Sequence, residues 1–347
     1  MNKVRYENLV DFSQGILKLA GLDDYSLDAV VTGLCETSLR GVDSHGVRLL
    51  PHYVNSAFSG RKNPKPNYIF EKTFSSIGHL NADDAFGHAA GMKAIDYGME
   101  MADNQGIGVV AVSNSSHPGA MASMALKASR KGYMAFAFTH ADALIQSHNG
   151  KRAYFGTNPI CFSAPREGSE PYCLDMATSI VPWNRVLIHR NSGESLAEDI
   201  AVDSCGNSTT NADEAAAILP TGGYKGYGLA SMIDILCGVY TGMAFGRSIP
   251  AMYKAKMNEQ RKLGQFYMVM RTDGVVSHDV FIDAMRQMTD EVHKEPSRAG
   301  ESVMLPGDKE IQEAKVRMKN GIPLDDATVR AFKDMSEKYH IPLEIIA

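Results

Sequence analysis

The sequence places one histidine directly after an apolar run, where enzymes often carry acid and base groups. In GIGVVAVSNSSHPGA, residues 106–120, His117 follows the run IGVVAV and precedes a second apolar segment. Pro118 fits the first position of a helix, and the positive end of a helix dipole disfavours an imidazolium and lowers its pKa. A neutral imidazole can take a proton from a substrate hydroxyl. His117 is therefore a candidate general base, and a hydrogen-bonded structural histidine is the alternative.

The glycines that begin this stretch approach the spacing of a dinucleotide-binding loop. That loop needs a strand before its first glycine and a helix after its last. Here a helical segment precedes Gly106, an apolar strand follows it, and Ala111 occupies the place of the third glycine. The sequence therefore predicts a tight turn into a buried strand at this point.

A second polar cluster, RGVDSHGVR, spans residues 40–48 in a predicted loop. Arg48 can bind a carboxylate through two parallel hydrogen bonds, and His45 can contact a polar substrate group. Asp43 and His45 are possible metal ligands, but no second cluster with ligand spacing accompanies them, so we predict no metal site. A capped loop with solvated charges is the alternative.

A glycine-rich loop precedes a predicted helix in PTGGYKGYGLASMIDILCG, residues 220–238. Lys225 and Gly226 lie in this loop, where backbone N–H groups, the helix dipole and a cation together favour an anion. The GxxxxGK[ST] order of a P-loop is absent. Close helix packing permitted by glycine is the alternative.

Two further stretches, YFGTNPICFSAP and CLDMATSIVPWNRV, end apolar runs in polar side chains. Asn158, Asp175 and Thr178 are candidates to hydrogen-bond a cofactor, and cross-linking of loops is the alternative. Trp183 is predicted to be a packing residue.

The elements that must position these residues alternate between helix and strand, which predicts an α/β fold with a mixed sheet. Helical periodicity predicts a first helix over 5–21 and a second over 26–40 with Ser26 as its N-cap. The other predicted elements are a short helix around VRLLPHYVNSAFSG, a hairpin at 68–80, helices at about 86–104, 119–132, 227–240, 278–293, 309–319 and 325–340, and strands at IGVVAVSN, YMAFAFTH, PICFSAP, PYCLDMA and QFYMVMR.

Composition is typical of a soluble globular protein with two connected lobes. The chain has 347 residues, of which 44% are hydrophobic and 22% charged, and a net charge of -5. Lys and Arg are scattered along the sequence, so nucleic-acid binding, which needs a concentrated basic face, is not expected. No apolar run reaches the length of a membrane span. The five cysteines include no CxxC pair, and the first residues, MNKVRYENLVDF, lack a signal-peptide pattern. Reduced cysteines and a cytoplasmic location are expected.

Taken together, several blocks resemble the malate/L-lactate dehydrogenase family outside the Rossmann class. The blocks are DSHGVRLLPHYV, SNSSHPGAMASMA, FGTNPICFSAP, LDMATS, GGYKGYGLASMIDILCGVYTGMAFG and LPGD, and the resemblance runs from about residue 5 to residue 340. Many members carry an arginine one position after Arg48, where this chain has Leu49.

The resemblance implies a non-Rossmann NAD(P)-binding fold of the sulfolactate dehydrogenase-like type. It implies a homodimer-forming helical lobe from residues 1–70 plus 297–347, and a mixed-sheet region over 71–296 that binds cofactor and substrate. The cofactor part is expected at about 120–195.

The resemblance also implies an activity, namely NAD- or NADP-dependent interconversion of a 2-hydroxy acid and a 2-oxo acid of the malate, lactate or ureidoglycolate type, with NAD favoured. His117 is then the acid/base, and His45 and Arg48 lie in the substrate pocket. The residues expected near the cofactor are Asn158, Asp175, Met176, Ala177, Thr178, Lys225, Gly226, Pro306, Gly307 and Asp308.

Three other functions stay open from the sequence. The first is reduction of cyclic imino acids or a diketo sugar acid on the same scaffold. The second is metal-dependent hydrolysis through Asp43, His45 and His117. The third is a ligand sensor that binds the cofactor without turnover.

Overall fold

The computed structural model describes residues 2–346, which contain ten α-helices and fourteen β-strands. The helices are α1 (Tyr6–Leu19), α2 (Asp24–Leu39), α3 (Leu50–Phe58), α4 (Gly87–Gln105), α5 (Ala122–Ser129), α6 (Trp183–Ser192), α7 (Tyr224–Asp234), α8 (His278–Lys294), α9 (Asp308–Asn320) and α10 (Asp326–Tyr339). The strands are β1 (Lys3–Val4), β2 (Ile69–Phe74), β3 (Ile77–Asn81), β4 (Ile107–Ser115), β5 (Tyr133–Thr139), β6 (Ile145–Gln146), β7 (Ala153–Phe155), β8 (Ile160–Ala164), β9 (Tyr172–Met176), β10 (Ala201–Val202), β11 (Ser208–Thr209), β12 (Ala217–Ile218), β13 (Leu263–Arg271) and β14 (Ile322–Pro323).

The central element is a seven-stranded mixed sheet in the order β2-β3-β4-β13-β5-β8-β9. Strands β3 and β4 run parallel, and the other neighbouring pairs run antiparallel. Helices α4 and α5 pack on this sheet and on each other. The mixed α/β sheet predicted from the sequence is confirmed.

Strand β4 enters the core through the turn predicted from its glycines. Gly106 ends α4 in the left-handed conformation, with φ of 78°, and its N–H donates to the carbonyl of Ala102 at 2.7 Å. A side chain with a Cβ is strained at this φ. Val110 and Val112 on β4 are fully buried, so this glycine serves the fold and not a cofactor loop.

The two ends of the chain join. Strand β1 pairs antiparallel with β14, and the rings of Phe12 on α1 and Phe332 on α10 lie 5.1 Å apart. The N-cap of α2 is Asp23, whose side chain accepts the N–H of Ser26 at 2.7 Å. The prediction of Ser26 as the cap was therefore wrong by three residues, because the helix begins at Asp24 and Ser26 lies within its first turn, where its own N–H is capped by Asp23.

A smaller sheet, β11-β10-β12-β6-β7, was not predicted from the sequence. It packs with α6 around a separate apolar cluster that includes Ile145, Val186 and Ile218. Helix α7 continues into a π-helical turn, Ile235–Val239, that packs on the central sheet. Within residues 2–346, every helix is too short or too polar to cross a lipid bilayer.

Candidate active site

A cavity of about 1160 Å³ extends from the end of α2 to the loop that precedes α9. It is bordered by the ends of β4, β5 and β9, by α6 and by the loop before β13. The residues predicted from sequence that line it are His45, His117, Asp175, Ala177, Pro306 and Gly307. The cavity therefore joins the predicted acid/base to part of the predicted cofactor set.

His117 is held just beyond the end of β4 by a fixed turn. The hydroxyl of Ser116 accepts the N–H of Gly87 at 3.0 Å and donates to the carbonyl of Ala85 at 2.8 Å. Gly119 has φ of 73°, and α5 begins only at Ala122. The prediction that Pro118 is the first residue of the helix was therefore wrong, since a left-handed turn intervenes.

The imidazole of His117 is bound at one nitrogen. Its Nδ1 lies 2.9 Å from the hydroxyl of Tyr53, and the N–H of Gly119 points to the same nitrogen at 3.4 Å. Tyr53 is fully buried, and its hydroxyl also lies 3.3 Å from the carbonyl oxygen of His117. Because Nδ1 is engaged, Nε2 is the ring nitrogen left for a substrate.

The His117 imidazole is neutral near pH 7. Burial lowers its pKa well below 6.5, and interactions with His45, Lys62 and Arg261 lower it further. The ring of His45 stacks on it with centroids 5.7 Å apart, and burial with the charge of Arg48 lowers the pKa of His45 to about 4. Desolvation and nearby cations are therefore the causes of the low pKa, in place of the helix dipole expected from the sequence.

A buried lysine lies next to this pair. Lys62 is 2% exposed, its Nζ lies 3.4 Å from the ring centroid of Tyr53, and the structured residues offer it no hydrogen-bond partner. Burial and the charges of Arg261 and Arg61 hold the pKa of Lys62 well below 10.5.

Of two arginines that could bind a carboxylate, only one lines the cavity. Arg48 is exposed and does not line the cavity, whereas its neighbour Leu49 does. Arg261 lines the cavity and is 4% exposed. Its guanidinium donates to the carbonyl of Pro250 at 2.8 Å and to Asp142 at 2.5 Å. Sequence reasoning missed Arg261, because nothing in NEQRKLG distinguishes it from a surface residue.

Part of the predicted cofactor set lies in the cavity wall. The carboxylate of Asp175 accepts the N–H of Ala122 at 2.8 Å, and burial raises the pKa of this carboxyl to about 6. Gly307 has φ of 95°, and a Cβ there would lie 3.1 Å from the backbone nitrogen of Cys173. The positive φ and this close approach together favour glycine at position 307.

Other members of the predicted cofactor set do not line the cavity. Asn158 is fully buried, accepts the N–H of Ala141 at 3.1 Å and donates to the carbonyl of Ala230 at 2.8 Å. Thr178 is fully buried and donates to the carbonyl of Thr157 at 3.0 Å. Both side chains join loops beneath the cavity, which was the alternative considered for them.

The remaining predicted cofactor residues lie at or near the ends of helices and strands. Met176 ends β9. Lys225 is exposed on the first turn of α7, while Gly226 is buried where a Cβ would lie 2.2 Å from the carbonyl oxygen of Thr221. Asp308 is ion-paired with Arg166 at 2.8 Å. These four residues contribute to packing or to the surface outside the cavity wall.

The cavity suits a dinucleotide together with a small acid. Its volume exceeds the range of about 300 to 1,000 Å³ that is usual for a single drug-sized ligand. Polar wall residues such as Asp175 and the backbone at Gly307 border this space. Within residues 2–346, no group of three or more histidine, cysteine or acidic side chains is placed to hold a metal ion.

Three comparisons place the chain among known proteins. The family model for malate/L-lactate dehydrogenase matches residues 4–333. Ureidoglycolate dehydrogenase (NAD(+)) of Escherichia coli K12 is 32% identical over 326 residues, which are 93% of each chain.

Two solved structures share the whole fold. Sulfolactate dehydrogenase from Methanocaldococcus jannaschii superimposes with a TM-score of 0.90 at 25% identity over 98% of both chains. Delta1-piperideine-2-carboxylate reductase from Pseudomonas syringae has a TM-score of 0.84 at 26% identity and covers 96% of this chain and 100% of its own. The sulfolactate dehydrogenase-like fold expected from the resemblance is confirmed. With the family match extending over almost its entire length, this chain belongs to the malate/L-lactate dehydrogenase family.

Proposed function

We propose that the protein interconverts a 2-hydroxy acid and a 2-oxo acid with a nicotinamide dinucleotide. The observation that carries the proposal is the neutral imidazole of His117, bound at Nδ1 and free at Nε2, in the wall of a cavity large enough for both reactants. Family membership supports the same reaction class. NAD is favoured over NADP because one relative, ureidoglycolate dehydrogenase of Escherichia coli K12, is named for NAD(+).

The chemistry needs one proton and one hydride to leave the same carbinol group. In the oxidation, Nε2 of His117 takes the hydroxyl proton while the electron pair of the C2–H bond leaves with its hydrogen as hydride. The bound nicotinamide supplies the hydride acceptor. The products are the 2-oxo acid and the reduced cofactor, and His117 then releases its proton to water. In the reverse direction His117 as imidazolium protonates the carbonyl oxygen.

The chain's own residues favour the release of that proton. The nearby cations and the dry surroundings disfavour a long-lived imidazolium at position 117. We assign Asp175, Ala177, Pro306 and Gly307 to the cofactor, because these members of the predicted set line the cavity.

Replacement of His117 tests the proposal. His117→Asn is expected to lower kcat by about 100- to 10,000-fold, the usual contribution of general acid–base catalysis, with unchanged affinity for the reduced dinucleotide in a fluorescence titration. His148→Asn is the control, since His148 is exposed and does not line the cavity. Near-full activity of His117→Asn at every pH would remove His117 from the mechanism.

Reduction of a cyclic imino acid is the second candidate, supported by the similarity to delta1-piperideine-2-carboxylate reductase. The two activities are separated by a panel of 2-oxo acids and cyclic imines with NADH and NADPH. Faster reduction of the imines would establish the second candidate.

We also propose a homodimer and a cytoplasmic location. Helix α7 and the π-helical turn expose Ile235 by 55% and Val239 by 57%, and helix α8 has no buried residue. Such unpartnered apolar faces favour association. Light scattering tests the dimer, and Ile235→Asp is expected to give a monomer.

The four buried free cysteines support a reducing compartment. The domain division at residues 70 and 297 also remains a proposal.

A further inference from the structure

We propose that this cavity takes 2-hydroxy and 2-oxo acids that carry a single carboxylate and an uncharged apolar substituent, with the carboxylate bound by Arg261. The proposal deepens the proposed function and rests on it, because it assigns the two ends of the same substrate. Family membership alone leaves this choice open, since malate has two carboxylates and lactate has one.

The guanidinium of Arg261 is fixed but incompletely bonded. Its Nε donates to the carbonyl of Pro250 and one terminal nitrogen donates to Asp142, which together fix the plane of the group. The other terminal nitrogen, Nη1, is buried and finds no acceptor in residues 2–346. Buried guanidinium N–H groups are normally bonded, so the geometry indicates that an acceptor belongs here. A carboxylate is the acceptor that matches a guanidinium best.

The sheet register places Arg261 beside the acid/base. Leu263 at the start of β13 pairs with Ser115 at the end of β4 in antiparallel register. Arg261 lies two residues before this last pair and His117 two residues after it, so both lie at the same edge of the sheet, and both line the cavity. The charge of Arg261 is accordingly felt at His117. A substrate whose carboxylate binds Arg261 thus presents its adjacent C2 hydroxyl toward the imidazole.

The charge around Arg261 favours one anion. Arg61 lies close enough to lower the pKa of Arg261, and the charges of both arginines lower the pKa of Lys62. Asp142 is the acid bonded to Arg261. Arg61 donates to the carbonyls of Met252, Ala255 and Lys256, and thereby fixes the loop that carries Pro250. A substrate carboxylate would add negative charge beside these buried cations, which Asp142 alone does not balance.

The wall around the same end of the cavity is apolar. Leu49 lies four residues after His45, on the second of two short 3-10 turns that Gly46 separates, and the loop bonded to Arg261 contributes further side chains. The apolar residues that line the cavity on these two segments are Val42, Leu49, Ile249, Ala251 and Met252. A second carboxylate against them would lose its water without a partner, whereas each methylene that is buried there strengthens binding about fourfold.

The other cations of the wall lie elsewhere or in solvent. Arg190 donates to the carbonyl of Ala212, and Arg247 donates to the carbonyl of Ala153, so both are bonded around the smaller sheet. Arg40 is buried and ion-paired with Glu170 at 3.5 Å, and Arg152 is exposed just before β7. Lys254 is exposed on the loop beside Tyr253, two residues after the apolar Met252 of the wall. It therefore enters the test.

The first experiment uses the wild-type protein and needs no variant. We expect kcat/KM for 2-oxobutyrate to exceed that for oxaloacetate by at least about tenfold, with pyruvate between them. Equal or faster reduction of oxaloacetate or 2-oxoglutarate would overturn the inference while leaving the proposed function intact. If Lys254→Ala then abolished that activity, Lys254 would be the second anion site. Turnover of no 2-oxo acid would instead contradict the proposed function.

The second experiment assigns the carboxylate. Arg261→Gln and the milder Arg261→Lys are expected to raise KM for 2-oxobutyrate by about 100-fold and 10-fold. Binding of 2-hydroxybutyrate by calorimetry, which needs no turnover, should weaken in parallel, with dinucleotide affinity unchanged. Lys262→Gln, at the exposed neighbouring position, is the matched control. If Arg48→Gln raised KM and both Arg261 variants did not, the carboxylate would belong to Arg48 and the proposal would fail.

The third experiment reverses the preference. Leu49→Arg adds a cation to the apolar wall and should raise the ratio of oxaloacetate to 2-oxobutyrate efficiency by at least about tenfold. Because Leu49 is 6% exposed, Leu49→Gln serves as a second variant that should move the ratio in the same direction by a smaller factor. A ratio unchanged in both folded variants would show that the substituent does not contact this wall.

Discussion

The hydroxyl of Tyr53 lies 2.9 Å from Nδ1 of His117 and 3.3 Å from the carbonyl oxygen of the same residue. This pairing lets the tyrosine hydroxyl hydrogen-bond to either tautomer of the neutral imidazole. When Nδ1 carries a proton, it donates to the tyrosine oxygen, and the tyrosine O–H turns to the carbonyl. When Nδ1 is unprotonated, the tyrosine O–H donates to it. The first arrangement leaves the lone pair on Nε2, which is the form needed to accept a substrate proton.

Loss of the Tyr53 hydroxyl should therefore reduce proton transfer more than binding. Without it, the N–H of Gly119 is the remaining partner at Nδ1 and favours the proton on Nε2. We expect Tyr53→Phe to lower kcat about 10- to 100-fold, equivalent to about 1.4 to 2.7 kcal/mol, and to change KM little. Steady-state kinetics from pH 5 to 9 measure this effect. Tyr240→Phe is the control, because Tyr240 lies 54% exposed outside the cavity wall, and equal losses in both variants would contradict the prediction.

We expect His88 to make the protein labile to acid. It is fully buried, neither ring nitrogen has a partner in residues 2–346, and burial with the charge of Lys62 lowers its pKa to about 3. Its pKa in the unfolded chain is near 6.5, so below that pH the unfolded state binds a proton that the folded state refuses. Stability is thus lost as the pH falls from 6.5 toward 3.

Through His88 alone, the free energy of unfolding is about 2 kcal/mol lower at pH 5 than at pH 7.5. His88→Leu should keep its stability at pH 7.5 and lose about 2 kcal/mol less than the wild type on transfer to pH 5. Urea titrations at the two pH values measure both. His45 also has a lowered pKa and acts in the same direction, so the variant retains some acid sensitivity. Identical losses in the two proteins would refute the role of His88.

Two aspartates from the predicted cofactor set should give opposite results. The carboxylate of Asp308 binds Arg166 at 2.8 Å and His293 at 2.7 Å. Arg166 is 7% exposed, so Asp308→Asn leaves a buried cation unpaired and should cost about 3 kcal/mol of unfolding free energy with little change in dinucleotide affinity.

Asp175 borders the cavity, and burial disfavours its ionised form. Asp175→Asn keeps an acceptor for the N–H of Ala122. It should therefore retain stability at pH 8 but weaken dinucleotide binding about tenfold. Calorimetry and thermal denaturation of both variants distinguish the two roles, and a shared loss of stability without loss of affinity would remove Asp175 from the cofactor site.

The turn after His117 depends on a glycine. Gly119 has φ of 73°, and a Cβ there would lie 2.4 Å from Nε2 of His88. Gly168 offers a matched control, since its φ is 67° with nothing within 4 Å of an added Cβ. Both alanine variants incur the cost of the left-handed conformation, about 1 kcal/mol.

Only Gly119→Ala adds the clash with His88, so it should lose at least about 1 kcal/mol more than Gly168→Ala and should also lower kcat. Chemical denaturation and initial rates measure the two effects. Equal stability and activity in the two variants would show that the turn can shift without moving His117.

Much of the fold was accessible from the sequence because local periodicity specifies it. Helices α1 and α2 and strands β4, β5 and β13 all coincide with predicted elements. The smaller sheet was missed for a physical reason. Strands β10, β11 and β12 have two residues each, too few for alternation, and their positions depend on long-range pairings.

The candidate site likewise contains residues that local sequence identifies and residues that only the tertiary fold brings in. His117 was identified because its signal, a polar residue at the end of an apolar strand, lies within a few residues of sequence. Tyr53 and Arg261 were missed because distant segments bring them to His117. Arg261 arrives through the antiparallel pairing of β13 with β4, a neighbour more than a hundred residues away. No local pattern can reveal such an approach.

The joined ends of the chain, β1 with β14 and Phe12 with Phe332, also govern the order in which the protein can form. During synthesis, α1 can pack on α2 early, but the partners β14 and Phe332 emerge more than 300 residues later. At about 5 to 20 residues per second, this delay lasts on the order of 16 to 64 seconds. Phe12, which is fully buried in the finished molecule, thus lacks its aromatic partner for most of the chain's time on the ribosome. The first helix consequently completes its packing only after the last helix has been made.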